Sequence, residues 1–157
     1  MTDEQIMADL MAYAKNKFQT EGVLPFCAYV AKDGVLIAKG YYNKGDSYGA
    51  ATNHGEMNAI RKACVALRVF EDLHDFDLFT TCEPCLACLE TALLVGVKRI
   101  VFAATHKDPE LDIFFNFHTY YPEDYVRAHP GEIQLIESTQ REQAVKLFAS
   151  ARQKYGF

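Results

Sequence analysis

The sequence predicts an α/β fold built on one mixed sheet with helices on both faces. Three observations carry that expectation. The chain has 157 residues, room for a single domain over 1–157. Its residues are 50% hydrophobic and 24% charged, with nine Gly and five Pro, so it buries a core and is neither disordered nor fibrous. Helical and strand periodicities also alternate along it as helix, hairpin, helix, strand, helix, strand.

The elements follow in order. Asp3–Gln19 carries Ile6, Leu10, Met11, Ala14 and Phe18 at helical spacing behind Thr2, a natural N-cap, and Glu21-Gly22 ends the run. Phe26–Ala31 and Val35–Tyr41 are β runs joined at Asp33-Gly34, a dipeptide that accepts the positive φ a two-residue hairpin turn requires. Asn43–Thr52, rich in Gly, Asp and Ser, is a loop. Glu56–Val69 returns to helical spacing, with Ala59, Ile60, Ala63, Leu67 and Phe70 at helical intervals, from a start near His54. Asp77–Thr80 is a short apolar strand running into Cys82-Glu83-Pro84-Cys85, and Leu86–Val95 is helical again. Pro84 suits the first turn of that helix, where its missing N–H is not needed. Arg99–Ala104 is a buried strand of the parallel type, reached after Gly96 closes the crossover helix. From Asp108 to Pro130 the periodicity dissolves into acids and aromatics, among them Phe114, Phe115 and Tyr121. Ile133–Ile136 is a last strand, and Thr139–Tyr155 is a closing helix with Ala144, Leu147, Phe148 and Ala151 on one face.

Charge and cysteine usage narrow the function classes. Lys and Arg total 16 against 21 Asp and Glu, a net charge of −5, which argues against a chain whose main task is holding a polyanion. Nucleic acid is therefore a disfavoured partner. No apolar run approaches the ~20 residues of a membrane span, and Met1–Leu10 carries Asp3, Glu4 and Asp9 in place of a basic leader. The expected location is the cytoplasm, with no membrane partner. Five cysteines, at 27, 64, 82, 85 and 88, are an odd number and poorly suited to a disulfide framework. Three of them crowd into the segment 82–88, a pattern of metal or redox chemistry.

His54, Cys85 and Cys88 supply one imidazole and two thiolates, a three-ligand set suited to one Zn²⁺ per chain with a coordination position left for water. Cys85 and Cys88 sit three apart at the start of a helix, where the unpaired N–H groups and the dipole favour thiolate. Glu56, two residues beyond His54, stands where a proton carrier has to be, near the metal yet outside the ligand set. A redox Cys-x-x-Cys would leave His54 and Glu56 unexplained. Cys82 is an alternative fourth ligand that would close the site, but Pro84 separates it from the helix start. Cys27 and Cys64 are small core residues on this reading.

His-x-Glu at one helix start, followed ~30 residues later by Pro-Cys-x-x-Cys at another, is the zinc deaminase signature. On His54-Gly55-Glu56-Met57-Asn58-Ala59-Ile60-Arg61-Lys62-Ala63-Cys64 and Phe79-Thr80-Thr81-Cys82-Glu83-Pro84-Cys85-Leu86-Ala87-Cys88, the chain resembles the cytidine and deoxycytidylate deaminase superfamily, and most of all its guanine deaminase branch. The resemblance implies a three-layer α/β/α sandwich with a mixed five-stranded sheet, zinc on His54, Cys85 and Cys88, and Glu56 as the catalytic proton shuttle. It implies hydrolytic deamination of a free aminated purine, guanine to xanthine plus ammonia, with Glu56 delivering protons to a ring nitrogen and to the leaving ammonia. It further places Asn43, Asn116 and Glu137 against the substrate, and makes the chain a homodimer whose C-terminal segment, ending Lys154-Tyr155-Gly156-Phe157, crosses to its partner; Phe26, on the first strand, is by its own residue type a candidate for stacking on a planar base.

Some residues depart from that branch. Gly55 stands where Ala is usual, which adds backbone freedom. Asn116 stands where the branch has an Asp that contacts the base, and an Asn donates as well as accepts. Leu86-Ala87 replaces the usual Pro-Met. Phe114 and Tyr155 are further candidates for stacking on a base, and His106 lies at the carboxyl edge of the Arg99–Ala104 strand, where ligands collect in open α/β sheets. The alternative readings are a tRNA adenosine deaminase, for which Arg141, Lys146, Arg152 and Lys154 would form a modest basic face, and a deaminase of cytosine or an aminated triazine.

Overall fold

The computed structural model of the chain describes residues 1–42, 52–115 and 118–156. Helix α1 spans Asp3–Glu21 and begins in a capping box, where Thr2 Oγ1 accepts from the Gln5 N–H and the Gln5 side chain accepts from the Thr2 N–H. Gly22, at φ 65°, closes it. Strands β1 (Cys27–Lys32) and β2 (Val35–Tyr41) form the expected hairpin, with Lys32 opposite Val35 and both turn residues, Asp33 and Gly34, at positive φ. Helix α2 (Gly55–Leu67), strand β3 (Asp77–Cys82), helix α3 (Leu86–Leu94) and strand β4 (Arg99–Ala104) then alternate. Two short helices, α4 (Asp112–Phe115) and α5 (Pro122–Ala128), precede β5 (Gln134–Glu137) and α6 (Arg141–Tyr155).

The five strands run in the order β2-β1-β3-β4-β5. β1 pairs antiparallel with β2 and β3, whereas β3, β4 and β5 are parallel. Alternate strand residues feed two separate cores. Tyr29, Phe79 and Val101 pack with α1 and with Phe148 of α6 on one face, while Val30, Leu78 and Ile100 pack with Ile60 of α2 and Leu89 of α3 on the other. Each such large side chain, fully buried, stabilises the fold by about 1.5–3 kcal/mol. The expected three-layer sandwich is therefore present.

Three local differences from the sequence expectation have physical causes. Strand β3 continues past Thr80 to Cys82, because Thr81 Oγ1 bonds the main chain of Pro25 and Cys27 and keeps the strand end tied to β1. Pro84 lies before the helix rather than on its first turn, since Cys85 itself is the N-cap. The Asp108–Pro130 segment holds short helices whose apolar residues lack a clean period, with Leu111 and Phe115 reaching the core and Pro122 starting α5. Asn43 and Asn116 lie outside the described residues.

Candidate active site

Two helix starts meet beside the carboxyl end of β3. His54 is the N-cap of α2 and Cys85 the N-cap of α3, with Cys88 on the first turn of α3. His54 Nδ1 stands 3.5 Å from Cys85 Sγ and 3.4 Å from Cys88 Sγ, and the two sulfurs are 3.5 Å apart. That triangle matches donors gathered on one zinc ion, for which Zn–S is about 2.3 Å and Zn–N about 2.0–2.1 Å. The electrostatics fit as well. Contact with Cys88 and then with His54 drives the Cys85 thiol down to about 4, while Cys85 and burial push Cys88 well above the ordinary thiol range. Binding of a divalent cation there would displace thiol protons, so its affinity rises with pH.

Close packing sets this convergence. A Cβ on Gly40 of β2 would lie 2.1 Å from the Gly55 carbonyl oxygen and 2.3 Å from the Ala59 nitrogen, so α2 rests directly on the strand. A Cβ on Gly55 would come 2.6 Å from the Phe26 carbonyl oxygen. Gly55 therefore serves close approach of α2 to β1, where the sequence suggested added freedom. Gly55→Ala is expected to destabilise the fold by about 1–3 kcal/mol through overpacking. Its denaturant midpoint and zinc content, measured together, would both fall.

Glu56 sits on the first turn of α2 and is 5% exposed. The Thr80 hydroxyl lies 3.1 Å from its Oε1 and donates to it. Burial, followed by the nearby Cys85 thiolate, raises the Glu56 carboxyl above its usual range, which suits a group that must both take and return a proton.

Beside these residues opens a cavity of about 480 Å³, within the range of small-molecule sites. His54, Glu56 and Cys85 are among its polar lining residues, and Leu24, Phe26 and Phe114 are among its apolar walls. The Phe26 and Phe114 rings meet edge-on with centroids 4.9 Å apart. No helix among the described residues is long and apolar enough to cross a membrane.

A family model for the cytidine and deoxycytidylate deaminase zinc-binding region matches residues 1–104. The chain belongs to this deaminase family. It is 43% identical over 84 residues to a guanine deaminase of Bacillus subtilis, 54% of this chain and 53% of that one, so the match spans about half of that relative. It is 31% identical over 107 residues to a tRNA-specific adenosine deaminase of Aquifex aeolicus, 68% of this chain and 69% of that one. Among solved structures, a guanine deaminase from Nitrosomonas europaea shares the fold with a TM-score of 0.81 at 22% identity, over 97% of this chain and 85% of that one.

Within this deaminase-family chain, the remaining expected site residues fall in different places. Phe26 and Phe114 line the cavity, but Glu137 does not. It lies exposed on β5, paired with Arg141 at 3.0 Å. Tyr155 packs against Phe18 and donates to the Gly22 carbonyl, away from the cavity walls. Cys82 is buried in the core beside α1, and among the described residues the clustered cysteine and histidine donors are His54, Cys85 and Cys88 without it. Cys27 is a core residue, and Cys64 packs against the α2 core. Sequence reasoning missed Glu83, Tyr42 and His118, all of which line the cavity. Glu83 carried a signal, because it stands inside Cys-Glu-Pro-Cys between the strand end and the first thiolate.

Proposed function

We propose that this protein hydrolyses the exocyclic amine of a free nucleobase, converting guanine to xanthine and ammonia. The observation that carries the reading is the placement of a buried carboxylate and a His-Cys-Cys donor triangle on one side of an aromatic-walled cavity. The 43% identity to a guanine deaminase supports the choice of base. His54, Cys85 and Cys88 would hold zinc, which when bound supplies a Lewis acid that makes water nucleophilic near neutral pH. Glu56 takes a proton from the attacking water and gives it to a ring nitrogen, then takes the second from the new hydroxyl and gives it to the departing amine. Thr80 keeps the carboxylate turned to the cavity while it does so. Phe26 and Phe114 offer apolar walls for a planar ring and exclude bulk water.

An ammonia-release assay over guanine, adenine, cytosine, their nucleosides and aminated triazines tests the reading. Guanine should lead the series. The second reading, tRNA adenosine deamination, draws on the Aquifex relative. Against it, three of the four cations of α6 pair with carboxylates, Arg141 with Asp108 and Glu137, Lys146 with Glu142 and Arg152 with Asp112, while Lys154 lies over the Phe18 and Tyr155 rings. Such a face offers little to phosphates. Asn43, Asn116 and Glu137 remain part of the proposal as substrate contacts, the last through a rearrangement or a partner chain.

The proposal includes a cytoplasmic homodimer with an exchanged C-terminal segment. Helix α6 here packs on its own chain, with Ala151 fully buried. Deleting Ala151–Phe157 is expected to raise KM or lower kcat while zinc stays bound. Unchanged kinetics in the truncated chain would remove the segment from the site.

A further inference from the structure

We propose that Glu83 selects the base: its Oε1 accepts a hydrogen bond from a ring N–H beside the reacting carbon, and His106 holds the carboxylate in place to do so. The inference rests on the reading of this cavity as the deamination site and adds a substrate-recognising residue to it.

Glu83 is anchored at both ends. Its main-chain N–H donates to the Ala104 carbonyl at 2.7 Å, which ties it to the end of β4. Its side-chain Oε2 receives the His106 main-chain N–H at 3.2 Å and the His106 ring Nδ1 at 2.6 Å. A carboxylate only accepts, so Nδ1 carries the proton. The imidazole is itself clamped. It stacks on Tyr121 with centroids 4.5 Å apart and planes within 16°, and Nε2 lies 3.5 Å from Glu123 Oε1. The side chains of Glu83 and His106 are each only 8% exposed.

Both donors fall on the same oxygen. Among the described residues no donor reaches Glu83 Oε1, yet the residue lines the cavity. A ligand that displaces water from this carboxylate oxygen at the cavity wall has to bring a donor in its place. The oxygen is positioned before the ligand arrives, because His106 fixes the other end of the carboxylate. Glu83 is separated from Cys85 by Pro84 alone, so a base whose reacting carbon faces Cys85 and Glu56 has its adjoining edge against Glu83.

Base chemistry turns this into selection. The amine-bearing carbon of guanine is flanked by a ring N–H, whereas those of adenine and cytosine are flanked by a ring nitrogen carrying a lone pair. A carboxylate accepts from the first and repels the second. An amino-oxo triazine tautomer with a ring N–H beside its amine would pass the same test.

Glu83→Gln inverts the recognition without changing size. The two His106 donors keep the amide oxygen at the Oε2 position, which turns the amide NH₂ toward the cavity. The probes are two bases with no amine to lose: hypoxanthine, which has the ring N–H, and purine, which has the lone pair. By titration calorimetry the zinc-loaded wild type should bind hypoxanthine more tightly than purine. In Glu83→Gln, hypoxanthine should weaken by about ten- to a hundredfold while purine holds or gains. His106→Asn should weaken hypoxanthine by a smaller factor and leave purine unchanged. Hypoxanthine bound no more tightly than purine by the wild type would overturn the proposal, even if a variant fails to fold. Equal weakening of both probes in either variant would also overturn it, marking a structural role. Binding does not depend on turnover, so a chain that separates the probes yet releases no ammonia from guanine would refute the guanine reading and leave Glu83 standing.

Discussion

Glu56→Gln is expected to lower kcat by about 10²–10⁴-fold, the range removed with a general acid–base group. KM should move little. The substitution keeps the shape of a side chain that is 5% exposed, and the Thr80 hydroxyl can donate to the amide oxygen as it does to the carboxylate. Packing and the metal ligands should therefore survive, so zinc measured by atomic absorption should stay near one per chain. What is lost is a site that takes a proton and gives it back. Glu56→Ala should show the same loss of ammonia release, with a cavity at the first turn of α2 in addition. A Gln variant with wild-type turnover would refute the assignment of the proton carrier and would shift attention to Glu83, the other carboxylate that lines the cavity.

The residues of the candidate active site were legible in the sequence because their chemistry and the fold signals coincide in the same short words. His54 and Cys85 are helix N-caps, and the residues after each are helical formers whose apolar period marks where the helix starts. The segments that open these two helices also carry the candidate metal ligands. The Asp33-Gly34 turn fixed the hairpin for a comparable reason, since few dipeptides accept two positive φ values in succession. Substrate recognition was less legible. Phe26 and Phe114 are ordinary apolar residues whose meeting across a cavity is a tertiary fact. Glu83 and His106 are 23 residues apart and come together because β3 and β4 are adjacent parallel strands with Cys82 opposite Ala104. Spacing within one element announces itself in sequence, whereas a pairing that depends on strand order does not. Gly55 shows the same limit. Its absent side chain looked permissive until the Phe26 carbonyl was found where a Cβ would be.

Cys88→Ala should have the largest effect on stability. Cys88 is fully buried on the first turn of α3 and belongs to the donor triangle. Its loss leaves one imidazole and one thiolate, too few donors to hold zinc against competing chelators. A ligand that binds only the folded chain stabilises it by about 4 kcal/mol at a thousandfold excess over its Kd. For a chain of this size that corresponds to a fall in Tm of about 8–16 °C when the ion is lost. Removing zinc from the wild type with a chelator should reproduce the same fall, and the variant should then lose little further on chelation. Any additional deficit in the variant reports the small cavity left by the sulfur. Cys82→Ala supplies the control, because Cys82 is equally buried but points into the α1 core, and its S–H donates to the Glu83 carbonyl at 3.4 Å. It should lose some packing energy and keep its metal. Full zinc content in Cys88→Ala, or zinc loss in Cys82→Ala, would each require a different ligand set from the one the geometry presents.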